Sequence, residues 1–282
     1  MEIGYMTNGF GMLVGSGGGV TSAKDIRYVS LVDDKVVIGT IAESGYSMVE
    51  MFDGNLERFA ANPTKLTTLL DSLKVKLGGV YVGANFIYED SFPDELERIK
   101  ATATLAAKLG AKHLILGGGA IRAMGILDTD YGVLAKNLDI AAKVIKEVGL
   151  IPTYHPHLGS IVESPEQIHR LFSLTDIGFC PDVAHLQAGG GNPLELIQTY
   201  YERIPYIHLK DYSSEGFVPL GEGDIDLIGI ANFLKEKNYQ GDILAEIDGY
   251  AGCPTYACQV SYQFIQKHVA VKNKNLGGKD NE

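Results

Sequence analysis

Short apolar runs alternate with amphipathic helical stretches from one end of the chain to the other, and this alternation most limits the fold. The runs are 2–6 (EIGYM), 46–52 (YSMVEMF), 77–85 (LGGVYVGAN), 113–118 (HLILGG), 151–155 (IPTYH), 176–180 (DIGFC), 206–210 (YIHLK) and 243–247 (ILAEI). They are apolar on both sides, as strands covered on both faces must be, rather than alternating like strands with one wet face. The stretches between them carry helix start signals. Ser91-Phe-Pro-Asp94 has capping-box form, Ser164-Pro165-Glu166-Gln167 adds a proline at the first helical position, and Asn192-Pro193-Leu194-Glu195 repeats the idea. Glycines at 45, 110 and 149 close helices just before the next strand.

Eight strand–helix units over about 270 residues match an α/β fold of the (β/α)8 TIM barrel type in a single domain, whereas a doubly wound sheet uses about six strands. The expected barrel covers 1–270. Gly and Ser crowd 15–19 after the first run, a candidate lid, and 271–282 form a polar tail expected to fray. The chain of 282 residues is long enough to fold without staples. No apolar run reaches the roughly 18 residues of a membrane span, and an acid, Glu2, stands where a signal peptide carries Lys or Arg. Three cysteines, none in a C-x-x-C pair, suit a reducing cytoplasm. A net charge of −11 repels phosphate backbones, so neither nucleic acid nor membrane is expected as a partner.

In a barrel of this kind, functional groups project from the C-terminal ends of the strands. Those places hold Glu50, His155, His157, Asp182, His185, His208, Lys210, Asp211, Glu246 and Asp248. The other histidines, His113, His169 and His268, fall at a strand start or on helices, where packed or solvated roles are the default. Asp182, His208 and Glu246 come from three neighbouring strands. Acids this close repel unless paired or metal-bound. A mixed carboxylate/imidazole set suits one divalent ion, Mn2+ or Co2+ first, with Zn2+, Mg2+ or Fe2+ also accommodated.

The strings Tyr154-His155-Pro156-His157-Leu158-Gly159-Ser160-Ile161-Val162-Glu163, Asp182-Val183-Ala184-His185 and His208-Leu209-Lys210-Asp211 resemble the sugar phosphate isomerase/epimerase superfamily of xylose isomerase-like barrels, and within it the inosose dehydratase branch. The resemblance implies one divalent metal at the barrel mouth and a polyhydroxylated ketone, a sugar or cyclitol, as substrate. It also implies four ligands, of which Asp182, His208 and Glu246 match three. The fourth is open between His155, standing where a glutamate is common, and Glu163 reaching back from its loop.

A metal on a ketone oxygen and its neighbouring hydroxyl acidifies the adjacent C–H, and a base then gives an enediolate held by the cation. Expulsion of a β-hydroxyl from it is dehydration, the leading reading; reprotonation is epimerisation or isomerisation, the alternative. Glu163 or His157 is the candidate proton-transfer group, and Lys210 steadies an oxygen or protonates the leaving hydroxyl. Glu246 stands at both metal and chemistry. Glu50, His185 and Asp211 are candidates for substrate hydroxyls. Tyr5, Tyr154 and Tyr250 are candidate stacking faces at the mouth. Gly117-Gly118-Gly119 lacks the Lys-Ser/Thr of a phosphate loop and suits a tight turn. From a different class, a non-catalytic sugar-binding barrel or a subunit of a larger assembly remains as a reading, and pairing into a homo-oligomer is expected by analogy alone.

Overall fold

A computed structural model describes residues 26–269. Within them, β1 (Met48–Phe52), β2 (Lys76–Ala84), β3 (His113–Gly118), β4 (Ile151–His155) and β5 (Gly178–Phe179) form one parallel sheet in sequence order. A second parallel pair joins β6 (Tyr206–Leu209) to β9 (Asp242–Ala245), and a bridge between Asp182 and His208 ties the two sheets together. The hairpin of β7 (Asp211–Ser213) and β8 (Gly216–Val218) is antiparallel and stands apart. The expected strand over 2–6, the lid over 15–19, Tyr5 and the tail over 271–282 lie outside the described residues.

Parallel neighbours require crossovers, and helices supply them. They are α1 (Asp34–Glu43), α2 (Asp53–Glu57), α3 (Thr64–Leu73), α4 (Phe92–Lys108), α5 (Asp128–Glu147), α6 (Pro165–Phe172), α7 (Val183–Ala188), α8 (Pro193–Tyr200), α9 (Leu227–Glu236) and α10 (Pro254–His268). On α5 the buried Leu134, Leu138, Ala141 and Ile145 recur at helical spacing and face the strands. The seven central residues of β2 are all buried, which is why that run shows no alternation. Each fully buried Leu or Ile contributes about 1.5–3 kcal/mol, so the shared interface of strands and helices dominates stability. At the N-terminal end of the strands His113 is fully buried, bonded to Asp242 at 2.8 Å and stacked on Tyr206, the packed role expected of it.

Ser164 and Gln167 form the expected reciprocal capping box, and Asn192 accepts from Leu194 and Glu195 N–H groups. Gly110 and Gly149, both at φ 84°, take the left-handed conformation that ends a helix without a Cβ clash. Ser91 departs from expectation. Its backbone is already helical and its hydroxyl donates to Tyr88 O, while Glu95 turns back to accept the Asn85 and Phe86 N–H groups. The triple glycine at 117–119 ends β3 with positive φ at Gly118 and Gly119, but the connection to α5 runs on to 127 and is not the tight turn expected.

Candidate metal centre

Side chains two residues apart on a strand share a face, and this periodicity builds the site. Three such pairs leave β4, β6 and the end of β9 on the inward side: His155 with His157, His208 with Lys210, and Glu246 with Asp248. The register sets Leu209 opposite Ala245, so Lys210 and Glu246 emerge as neighbours. First members of the pairs form an inner layer and second members the next layer toward the strand ends.

In the inner layer, His155, Asp182, His208 and Glu246 each present one ligand atom, all within 4.8 Å of one another. Asp182 caps α7: its Oδ1 accepts the Ala184 and His185 N–H groups at 2.9 and 3.0 Å, which leaves Oδ2 free to face inward. His155 Nε2 lies 3.6 Å from that oxygen. Glu50 holds His208 Nε2 at 3.1 Å, so Nδ1 is the nitrogen that faces inward, 2.8 Å from Glu246 Oε2. Glu50, expected at a sugar hydroxyl, is thus engaged with His208 and can fix the orientation of that ring.

Both ring nitrogens of His155, Asp182 Oδ2, His208 Nδ1 and Glu246 Oε2 are buried without a hydrogen bond. Orphaned buried polar atoms are costly, and one nitrogen of His155 converging with the other three atoms fits a divalent cation, whose charge the Lys210 ammonium supplies only in part. Burial takes the His155 pKa down to about 4, so this imidazole is neutral and ligand-competent near pH 7. Burial works against charge on His208, yet Cys180, Glu50 and Glu246 around it raise its pKa well above the ordinary value.

Lys210 belongs to the next layer. Its ammonium is fully buried, 2.8 Å from Asp182 Oδ2, 2.8 Å from Asp248 Oδ2 and 3.3 Å from Glu246 Oε1. Burial penalises this charge, but Asp182, Glu246 and Asp248 more than restore it and push the pKa well above that of an ordinary lysine. Lys210 also donates to His185 Nε2 at 3.2 Å. His157 packs on His185 with ring centroids 3.8 Å apart, and its Nδ1 bonds Leu158 O at 2.8 Å, which directs an unprotonated Nε2 elsewhere. Burial first, then His185, lowers the His157 pKa, so it too is neutral.

Two expected site residues point elsewhere. Asp211 is 1% exposed, and its carboxylate accepts backbone N–H groups of Tyr212, Gly221, Gly223 and Ile225, leaving nothing for substrate. It organises the loop 219–226 and does not bind a hydroxyl. Glu163 turns into its own loop, where Oε2 accepts the Gly159 N–H at 2.6 Å, and His155 occupies the fourth corner of the cluster. Tyr154 is likewise buried below the mouth with its hydroxyl on Gly118 O. Aromatic faces instead come from Phe52, Tyr81 and Phe217, which line the cavity beside His155 and His185.

The sequence model of the family described as xylose isomerase-like TIM barrel matches residues 38–261. The chain belongs to that family. Among curated relatives of this xylose isomerase-like barrel, the inosose dehydratase of Geobacillus kaustophilus is 29% identical over 270 residues, covering 83% of this chain and 86% of the relative. That of Lacticaseibacillus casei is 25% identical, covering 80% and 83%. Among solved structures, the probable 3-DHS dehydratase AsbF of Bacillus anthracis superposes with a TM-score of 0.70 at 14% identity, covering 84% of this chain and 94% of that one. The IolI protein, solved with a bound zinc atom, gives 0.68 at 18% identity, covering 84% and 91%. At such identities these two likenesses establish the fold. No helix among the described residues is long and apolar enough to cross a membrane.

Proposed function

We propose that this chain is a divalent-metal-dependent lyase that removes water from a cyclic keto-polyol of the inosose type. The observation that carries the reading is the convergence of His155, Asp182, His208 and Glu246, with their orphaned atoms, directly below a charged lysine and a neutral imidazole. The names of the curated relatives supply the substrate class. A divalent ion held by the four ligands, Mn2+ or Co2+ by preference, supplies an electrophile that draws charge from a ketone oxygen and acidifies the neighbouring C–H.

The protein's own groups complete the reaction. His157, neutral and with Nε2 free, takes the proton from the carbon next to the ketone. The electron pair of that C–H bond becomes the new C=C bond as the β C–O bond breaks. Lys210 gives its proton to the departing hydroxyl, which leaves as water, and the proton taken up by His157 replaces the one that Lys210 gave. His185 and Asp248 hold the lysine in place for this step. Burial works against charge on Asp248, yet His185 and Lys210 keep its carboxyl well below the usual range, so the acceptor stays ionised. Phe52, Tyr81 and Phe217 offer apolar faces to the C–H side of a ring.

The test is incubation of the metal-loaded protein with an inosose in D2O, followed by NMR and mass spectrometry. Dehydration gives a product lighter by one water. A product of unchanged constitution carrying solvent deuterium identifies an epimerase or isomerase using the same groups. No exchange and no product with inososes, ketohexoses or 3-keto-glucosides identifies a binding protein.

A further inference from the structure

The outer layer contains a second set of metal-ligating groups: His157, His185 and Asp248 each offer one ligand atom, within 4.8 Å of the other two. Two imidazoles and one carboxylate, with further positions left for water, are a sufficient set for a borderline-soft divalent ion. Tautomer and spacing agree. His157 Nδ1 is engaged by Leu158 O, the kind of outer contact that fixes a ligating imidazole, so the lone pair lies on Nε2. His185 Nε2 and Asp248 Oδ2 are 3.2 Å apart, close to the roughly 3 Å edge of two ligands at right angles on an ion with bonds near 2.1 Å.

Both atoms also face the Lys210 ammonium, 3.2 Å from the first and 2.8 Å from the second. The place therefore already selects for positive charge. Asp248 keeps 38% of its side chain exposed, so an ion can enter from solvent, whereas His155, Asp182 and His208 of the inner layer are buried.

We infer that His157, His185 and Asp248 form a second, weaker site that takes Zn2+ in preference to Mg2+, in competition with the Lys210 ammonium. Imidazole ligands select zinc over magnesium, which demands oxygen donors. An ion here uses the lone pair of His157, so excess zinc inhibits any reaction in which that imidazole is the base. This consequence alone rests on the proposed function; the ion count does not.

The experiment is equilibrium dialysis of the full chain against saturating Zn2+, with zinc per chain read by elemental analysis and folding checked by circular dichroism. The wild type binds two ions, and Asp248→Asn and His185→Ala each bind one. Asp182→Ala, which removes an inner ligand, keeps one ion. Lys210→Met raises the affinity of the weaker site at least tenfold. One zinc per chain in the wild type at saturation overturns the inference, as do two in both Asp248→Asn and His185→Ala. If the count fails while an inosose is still dehydrated, only this inference falls.

Discussion

Replacing Lys210 with Met separates the roles of lysine and metal, because both supply positive charge to the same acids. The ammonium is fully buried and 2.8 Å from Asp182 Oδ2, itself 0% exposed. Removing one partner of a buried ion pair costs about 3–5 kcal/mol, since the other charge is left uncompensated. The contact with Asp248 adds little, because that carboxylate is partly in water and screened. For a chain of this size each kcal/mol moves Tm by about 2–4 °C, so the metal-free variant should melt about 6–20 °C below the wild type. A divalent ion replaces much of the missing charge at Asp182 and Glu246, and it meets no competing ammonium. At ligand concentrations near 1,000 Kd an ion adds about 4 kcal/mol, so Mn2+ should narrow the gap between variant and wild type. The assay is thermal and urea unfolding of both proteins, with chelator and then with Mn2+. A metal-free variant as stable as the wild type, or a deficit unchanged by Mn2+, would refute the reasoning.

Alanine at His155, Asp182, His208 or Glu246 should abolish tight Mn2+ binding at the inner site, whereas His113→Ala should retain it; calorimetric titration of each variant decides. The raised pKa of His208 means that the metal-free protein holds a proton there at neutral pH, and ligation expels it. Affinity should therefore rise with pH until that pKa is reached and fall about tenfold for each unit below it, with proton release measurable in buffers of different ionisation enthalpy. pH-independent affinity between 6 and 8 on the ~6.5 scale of free histidine would contradict this. Asp211→Ala should cost about 2–3 kcal/mol through the stranded N–H groups of the 219–226 loop, while leaving metal stoichiometry unchanged.

The strands were legible because parallel strands buried on both faces leave uninterrupted apolar runs, and seven of the eight expected runs coincide with described strands. Asp182, His208 and Glu246 were legible for a related reason: the chain exits each strand at the mouth, so a polar residue at that exit stands out. The fate of Asp211 was not. Its neighbours in sequence gave it the look of a site residue, but the backbone donors that consume its carboxylate come from 221, 223 and 225, brought back by the β7–β8 hairpin. The place of Glu163 likewise depended on which way a loop carboxylate turned: it accepts the Gly159 N–H, and His155 stands in the cluster instead. Asp248 was visible two residues beyond Glu246, yet its importance required knowing that Lys210 and His185 meet it. Phe217 had one available signal, the Glu215-Gly216 turn between residues of strand type.

The most direct measurement is anomalous diffraction from crystals grown with Mn2+. The account predicts a peak about 2.0–2.3 Å from one ligand atom each of His155, Asp182, His208 and Glu246. Mn2+ bound by the protein in solution, but with no anomalous density among these four side chains, would contradict it.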